Sequence, residues 1–148
     1  MISLNYLLKQ IQTIVNNHAQ VNTYAQGQRY DFSASSALLY PCVWAVPSGA
    51  SMDLQGRTLA YSITLVLMDL ELADGSNQIE ILSDTALILT DIVAKLRDVG
   101  EGQNEWNIQS VGTLTPFVDS FNDTVSGHSV DLTINAFFGS DICNGIIS

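Results

Sequence analysis

One stretch constrains the fold more than any other. From Thr58 to Leu72, apolar and small polar residues run on without a glycine or proline. Tyr61, Ile63, Leu65 and Leu67 fall on one side of an extended chain, and Ser62, Thr64, Val66 and Met68 on the other. This predicts a strand about 50 Å long at ~3.3 Å per residue. A compact domain of 148 residues is only roughly 40 Å across. Such a strand either bends sharply or carries its end past the body as an arm. A projecting β arm grips a neighbour by strand addition.

The rest of the chain supplies a body for that strand. Leu4, Leu7, Leu8, Ile11, Ile14 and Val15 recur at three- and four-residue spacing and predict an N-terminal helix capped by Ser3 and ended by Asn16–Asn17. Val21–Tyr24 reads as a short strand. Residues 30–36 are polar and irregular. Leu38–Val46 reads as a strand, placed at an edge or bulge by Pro41, which cannot donate to a ladder. Pro47–Gly56 reads as a loop and Asp74–Asn77 as a turn.

A second helix spans Gln78–Val99. Ile79, Leu82, Ala86, Leu89, Ile92, Val93 and Leu96 form an apolar arc that Ile81 and Ile88 widen, and Glu80, Asp84, Asp91, Lys95 and Asp98 lie opposite. Asp91 and Lys95 make an i,i+4 pair. Gly100–Asn104 reads as a loop and Trp106–Leu114 as a strand interrupted by Gly112. Pro116–Val125 reads as a short helix or projecting loop ended by Gly127, and Ser129–Phe138 as an alternating strand. The last ten residues form a tail whose Ile146 and Ile147 call for docking. No regular βαβ alternation occurs. The expectation is one α+β domain over 1–148: a mainly antiparallel twisted sheet carrying the N-terminal helix and one long central helix, with a projecting loop or β arm.

Composition removes several function classes. There are 5 Lys plus Arg against 15 Asp plus Glu, a net charge of −10, and only 14% of residues are charged. Nucleic-acid clamps and binders of anionic membranes need basic clusters that this chain lacks. The 47% hydrophobic content is ample for a core and argues against disorder. Met1–Gln12 lacks the basic and apolar regions of a signal peptide, and no apolar run reaches the ~20 residues of a membrane span. Cys42 and Cys143 read as two free, buried thiols.

The search for reaction chemistry gives no candidate site. No P-loop, GxSxG, CxxC or HxxxH occurs, and Gly100-Glu101-Gly102 is no dinucleotide fingerprint. His18 reads as a packed, hydrogen-bonded residue on the first helix's apolar side, and His128 as an exposed turn residue. The acid pairs Asp69/Glu71, Glu80/Asp84, Asp84/Asp91 and Asp119/Asp123 fit solvated faces better than a dyad, which needs one desolvated group. No EF-hand pattern is present. No catalytic, cofactor-binding or metal residue is expected.

Four segments carry a family resemblance. They are the first helix running into His18-Ala-Gln-Val-Asn-Thr-Tyr24, and Leu39-Tyr-Pro-Cys-Val-Trp44. The others are Glu80-Ile-Leu-Ser-Asp-Thr-Ala-Leu-Ile-Leu-Thr-Asp-Ile92, and Leu114-Thr-Pro-Phe-Val-Asp-Ser-Phe-Asn-Asp-Thr-Val-Ser-Gly127 leading to Asp141-Ile-Cys143. Through them the chain resembles the neck and tail-completion proteins of tailed bacteriophages, of tail-terminator or head–tail connector type. The resemblance implies a non-enzymatic virion protein, assembled in the host cytoplasm into a sixfold or twelvefold ring. Its partners would be its own copies and adjacent neck, portal-adaptor or tail-tube proteins, with DNA passing through the lumen unbound. Acidic lumen walls would repel phosphate, although acidity also serves solubility. The alternative is a small acidic cytosolic adaptor that recognises a basic protein.

Overall fold

The computed structural model describes residues 2–27, 40–72, 74–120 and 124–137. Its elements are α1 (Leu4–Asn16), β1 (Thr23–Gln26), β2 (Cys42–Asp53), β3 (Thr58–Leu70), α2 (Gln78–Gln103), β4 (Trp106–Val111), β5 (Thr115–Ser120) and β6 (Thr124–Phe137). The expected segment at 30–36, residues 121–123 and the tail with Cys143, Ile146 and Ile147 lie outside the described residues. The strands form one sheet in the order β1-β2-β3-β6-β4, with β5 also paired to β6. Only β1–β2 is parallel. The fold is α+β, a mostly antiparallel sheet with an N-terminal helix and a long central helix. No described helix is long and apolar enough to cross a membrane.

The helices cover one sheet face. Leu7, Leu8, Ile11 and Val15 of α1, with Ile88, Leu89, Ile92 and Leu96 of α2, pack on Val43, Ala45, Ile63, Leu65, Leu67, Val130, Leu132 and Ile134. The same face takes every second strand residue, as the two-residue period requires. Cys42, Trp44, Val46, Val66, Met68 and Val125 make a smaller cluster on the opposite face, with Tyr40 and Phe117 against it. Ser3 caps α1 as expected, its Oγ accepting from the Tyr6 N–H at 3.1 Å. The Tyr6 hydroxyl donates to Glu105 at 2.9 Å and ties α1 to the turn after α2.

The long strand is interior. β3 pairs with β2 from Thr58 to Met68 and with β6 from Thr58 to Leu70, so it is not an arm by itself. It ends at Leu70 rather than Leu72.

Several boundaries differ from the expectation, each for a tertiary reason. Pro47–Gly56 is not a loop: β2 continues to Asp53, held in register by β3 across a tight turn. Pro47 and Gly49 flank the one register shift in that pairing. Pro41 stands outside the ladder, before Cys42, and its carbonyl accepts from the Asn22 N–H at 2.9 Å. The first half of β2 is interior, between β1 and β3. Gly100 does not end α2. A Cβ there would collide with the Trp106 indole, whose Nε1 donates to the Leu96 carbonyl at 3.2 Å, so glycine lets the helix run on under the ring. The helix stops at Asn104, which takes the left-handed conformation at φ 54°. Pro116–Ser120 is a strand, not a helix, and Gly127 is no break. It lies inside β6 where a Cβ would strike the Leu67 carbonyl of β3.

Candidate functional site

The titratable groups do not converge. Glu80, Asp84 and Asp91 are exposed on α2. Glu71 lies beyond the end of β3, where its carboxylate accepts from Gln78 Nε2 at 3.0 Å, and Asp69 Oδ1 caps the Leu70 N–H at 2.8 Å. The strand at Thr115–Ser120 removes the helical spacing proposed for Asp119 and Asp123, of which Asp123 lies outside the described residues. No group of three His, Cys, Asp or Glu able to hold a metal occurs among the described residues.

His18 is buried and hydrogen-bonded, as its place on the apolar side suggested. Its Nδ1 accepts from the Gln20 N–H at 3.2 Å, which leaves the Nε2–H to face Asp91 at 2.9 Å. Asp91 also meets Lys95 at 3.3 Å, so one carboxylate holds both the segment just after α1 and the expected i,i+4 pair on α2.

His128 is the clearest correction. It is not an exposed turn residue. It sits buried in β6 facing α2, with Nδ1 at 2.9 Å from Thr85 Oγ1, and the Thr85 hydroxyl donates to the Ile81 carbonyl at 2.8 Å. Burial holds the imidazole below its ordinary pKa. Cys42 is buried as expected, and burial pushes its thiol up to about 12, far from a reactive thiolate.

Among the described residues, besides exposed Leu70, Leu72 and Val118, the surface presents apolar side chains at two built places. The first is the β2–β3 turn. β1 pairs only Cys42–Ala45, so among the described strands the outer half of β2 is paired on one side only. Every residue from Ser48 to Arg57 is exposed, including Met52 at 67% and Leu54 at 73%. The turn is nonetheless built. Asp53 Oδ1 accepts from the N–H groups of Gln55 at 3.1 Å and Gly56 at 3.0 Å, and Arg57 closes it in the left-handed conformation at φ 53°.

The second place is a groove between α2 and the kink that separates β4 from β5. Gly112–Leu114 leaves the ladder there, while the Gly112 N–H still donates to the Asp131 carbonyl at 2.8 Å. Two adjoining hollows of about 410 and 380 Å³ share Thr90, Val93 and Val111. Leu89, Leu114 and Val130 line one; Ala94, Ile108 and Arg97 line the other. The exposed side of α2 adds Leu87, 69% exposed, and Ile79, 76% exposed, which the apolar arc had placed inside. The arc is rotated toward Ile81, Ile88 and Ile92, which are buried.

Neither surface was singled out from sequence. Met52 and Leu54 sat in a segment read as loop, and the groove depends on a kink that only the ladder reveals. Gly112 was the one visible signal. Searches against protein-family models and curated proteins find no match to the chain.

Proposed function

We propose that this chain is a structural protein that assembles with its own copies into a ring in the neck or at the top of the tail of a tailed bacteriophage. The ring would join the portal side to the tail and leave a channel for DNA. The observation that carries this reading is the pair of dissimilar apolar surfaces. A ridge at Met52 and Leu54 and a groove at Val93 and Val111 are suited to head-to-tail association, which closes into a ring when the rotation per copy allows it. A self-complementary patch would favour a twofold dimer instead.

Two further features support the reading. The resemblance of four segments to phage neck and tail-completion proteins supports a position at the head–tail junction. The net charge of −10 suits a conduit, because acidic walls repel DNA phosphate and do not retain it. The test is location. Antibody-gold labelling of purified virions is expected to mark the junction of head and tail. A protein absent from the virion, and captured instead by a basic host or phage protein, belongs to the acidic-adaptor class.

A further inference from the structure

We propose that the β2–β3 turn of one copy seats in the α2/β4–β5 groove of the next copy. Met52 and Leu54 enter the groove, and Arg57 meets Asp98 and Glu101 on its rim. This deepens the ring reading above and rests on it, because it names the two surfaces through which the copies join.

Three observations select a second copy as the occupant. The first is reach. Thr58, at the foot of the turn, pairs with Phe137, whereas the groove runs along β6 from Ile108, opposite Ile134, to Val130. Its near end is about 10 Å from Phe137 along β6 and its far end roughly 20 Å, with β6 itself between, and a four-residue turn fixed by Asp53 cannot fold back over that strand. The turn of one molecule therefore reaches only the groove of another.

The second is charge. Among the described residues no carboxylate lies within ion-pair distance of Arg57, although the chain carries 15 acids against 5 bases. Asp98 and Glu101 are exposed on the last turns of α2, beside the groove residue Arg97, which already holds Asp98 at 3.4 Å. The tip offers Asp53 and Arg57, and the end of α2 offers the groove residue Arg97 followed by two exposed carboxylates. Each sign on one surface finds its opposite on the other.

The third is preorganisation. The Asp53 hydrogen bonds hold the turn in one shape before contact, so little conformational freedom is lost when it docks. The groove is walled by α2, β4 and the Gly112–Leu114 kink, where the Gly112 N–H is held by the Asp131 carbonyl at 2.8 Å.

A contact between unlike surfaces makes a prediction that a self-complementary contact does not. A copy with a disabled tip keeps its groove, and a copy with a disabled groove keeps its tip. The full-length chain is compared by sedimentation velocity with Met52→Ser/Leu54→Ser, with Val111→Lys, and with their equimolar mixture. All three positions are exposed, and circular dichroism checks that the variants fold. Each variant alone is expected to lose assembly, with association weaker by on the order of 30-fold or more. The mixture is expected to form one-to-one heterodimers and stop there, since only one working tip faces one working groove.

A charge swap gives a second measurement that does not depend on the apolar variants. Arg57→Glu weakens assembly, and adding Glu101→Arg restores it. If the tip and groove variants assemble like the wild type, or their mixture stays monomeric, the docking proposal is overturned while the ring reading stands. A wild-type chain that never assembles overturns both.

Discussion

The two halves of the β2–β3 ladder share one pairing pattern and differ in everything around it. In the inner half, Cys42–Val46 faces Thr64–Met68, and β2 and most of its β3 partners are buried on both sheet faces. In the outer half, Gly49–Asp53 faces Thr58–Ser62, and β2 is exposed along its whole length. Backbone pairing resumes after a single register shift, across a boundary where burial stops. The inner half therefore carries fold stability. The outer half is kept in shape by register and by the Asp53 turn, and its β2 side chains are exposed. Pro47 and the register shift beside it mark the boundary, where a proline and an extra residue also discourage uncontrolled edge pairing.

The contrast predicts a gradient of mutational effects. Leu65→Ala, in the fully buried inner half, should cost about 2–5 kcal/mol of unfolding free energy by urea titration. A loss under about 1 kcal/mol would mean that the inner half is not the stabilising part. Gly127→Ala tests the close approach of β6 to β3 from the other side. With the Leu67 carbonyl in the way, it should cost about 1–3 kcal/mol as overpacking. Wild-type stability at that position would contradict the strand spacing.

A smaller effect concerns His128, buried at the helix–sheet contact. Its folded-state pKa lies below the ordinary 6.5, so the unfolded chain takes up the proton first. The contribution is complete above the unfolded pKa and is lost as pH falls from 6.5 toward the lower folded value. Urea midpoints measured downward from about pH 7.5 should therefore fall more steeply for the wild type than for His128→Gln. Parallel curves would place the imidazole in water. Least of all, Met52→Ser/Leu54→Ser should leave monomer stability within about 0.5 kcal/mol, because both side chains are already exposed. A large loss would mean that the outer half is part of the fold.

The same boundary separates what was legible in the sequence from what was not. α1 and the body of β3 follow from local periodicity: α1 buries one regular face, and β3 alternates between the two clusters on opposite sheet faces. The outer half of β2 does not. Ser48, Gly49 and Ser51 have little strand preference, and they are extended because β3 is opposite them. β5 was hidden by the spacing of Phe117, Phe121 and Val125, which mimics a helical stripe. Gly100 and Gly127 looked like breaks, yet each is glycine because another element presses on it: the Trp106 ring in one case, the β3 backbone in the other. His128 is hidden for the same reason: beside Gly127 it has the look of a turn residue, whereas its strand runs from Thr124 to Phe137. The candidate site combined both difficulties, a ridge on a strand read as loop and a groove at a kink between two strands.

Native mass spectrometry of the purified full-length chain tests the ring most directly. The account predicts a closed assembly of six or twelve copies of the 16.1 kDa chain, without a continuous ladder of intermediate sizes. A monomer at every concentration, or a dimer that goes no further, would contradict it.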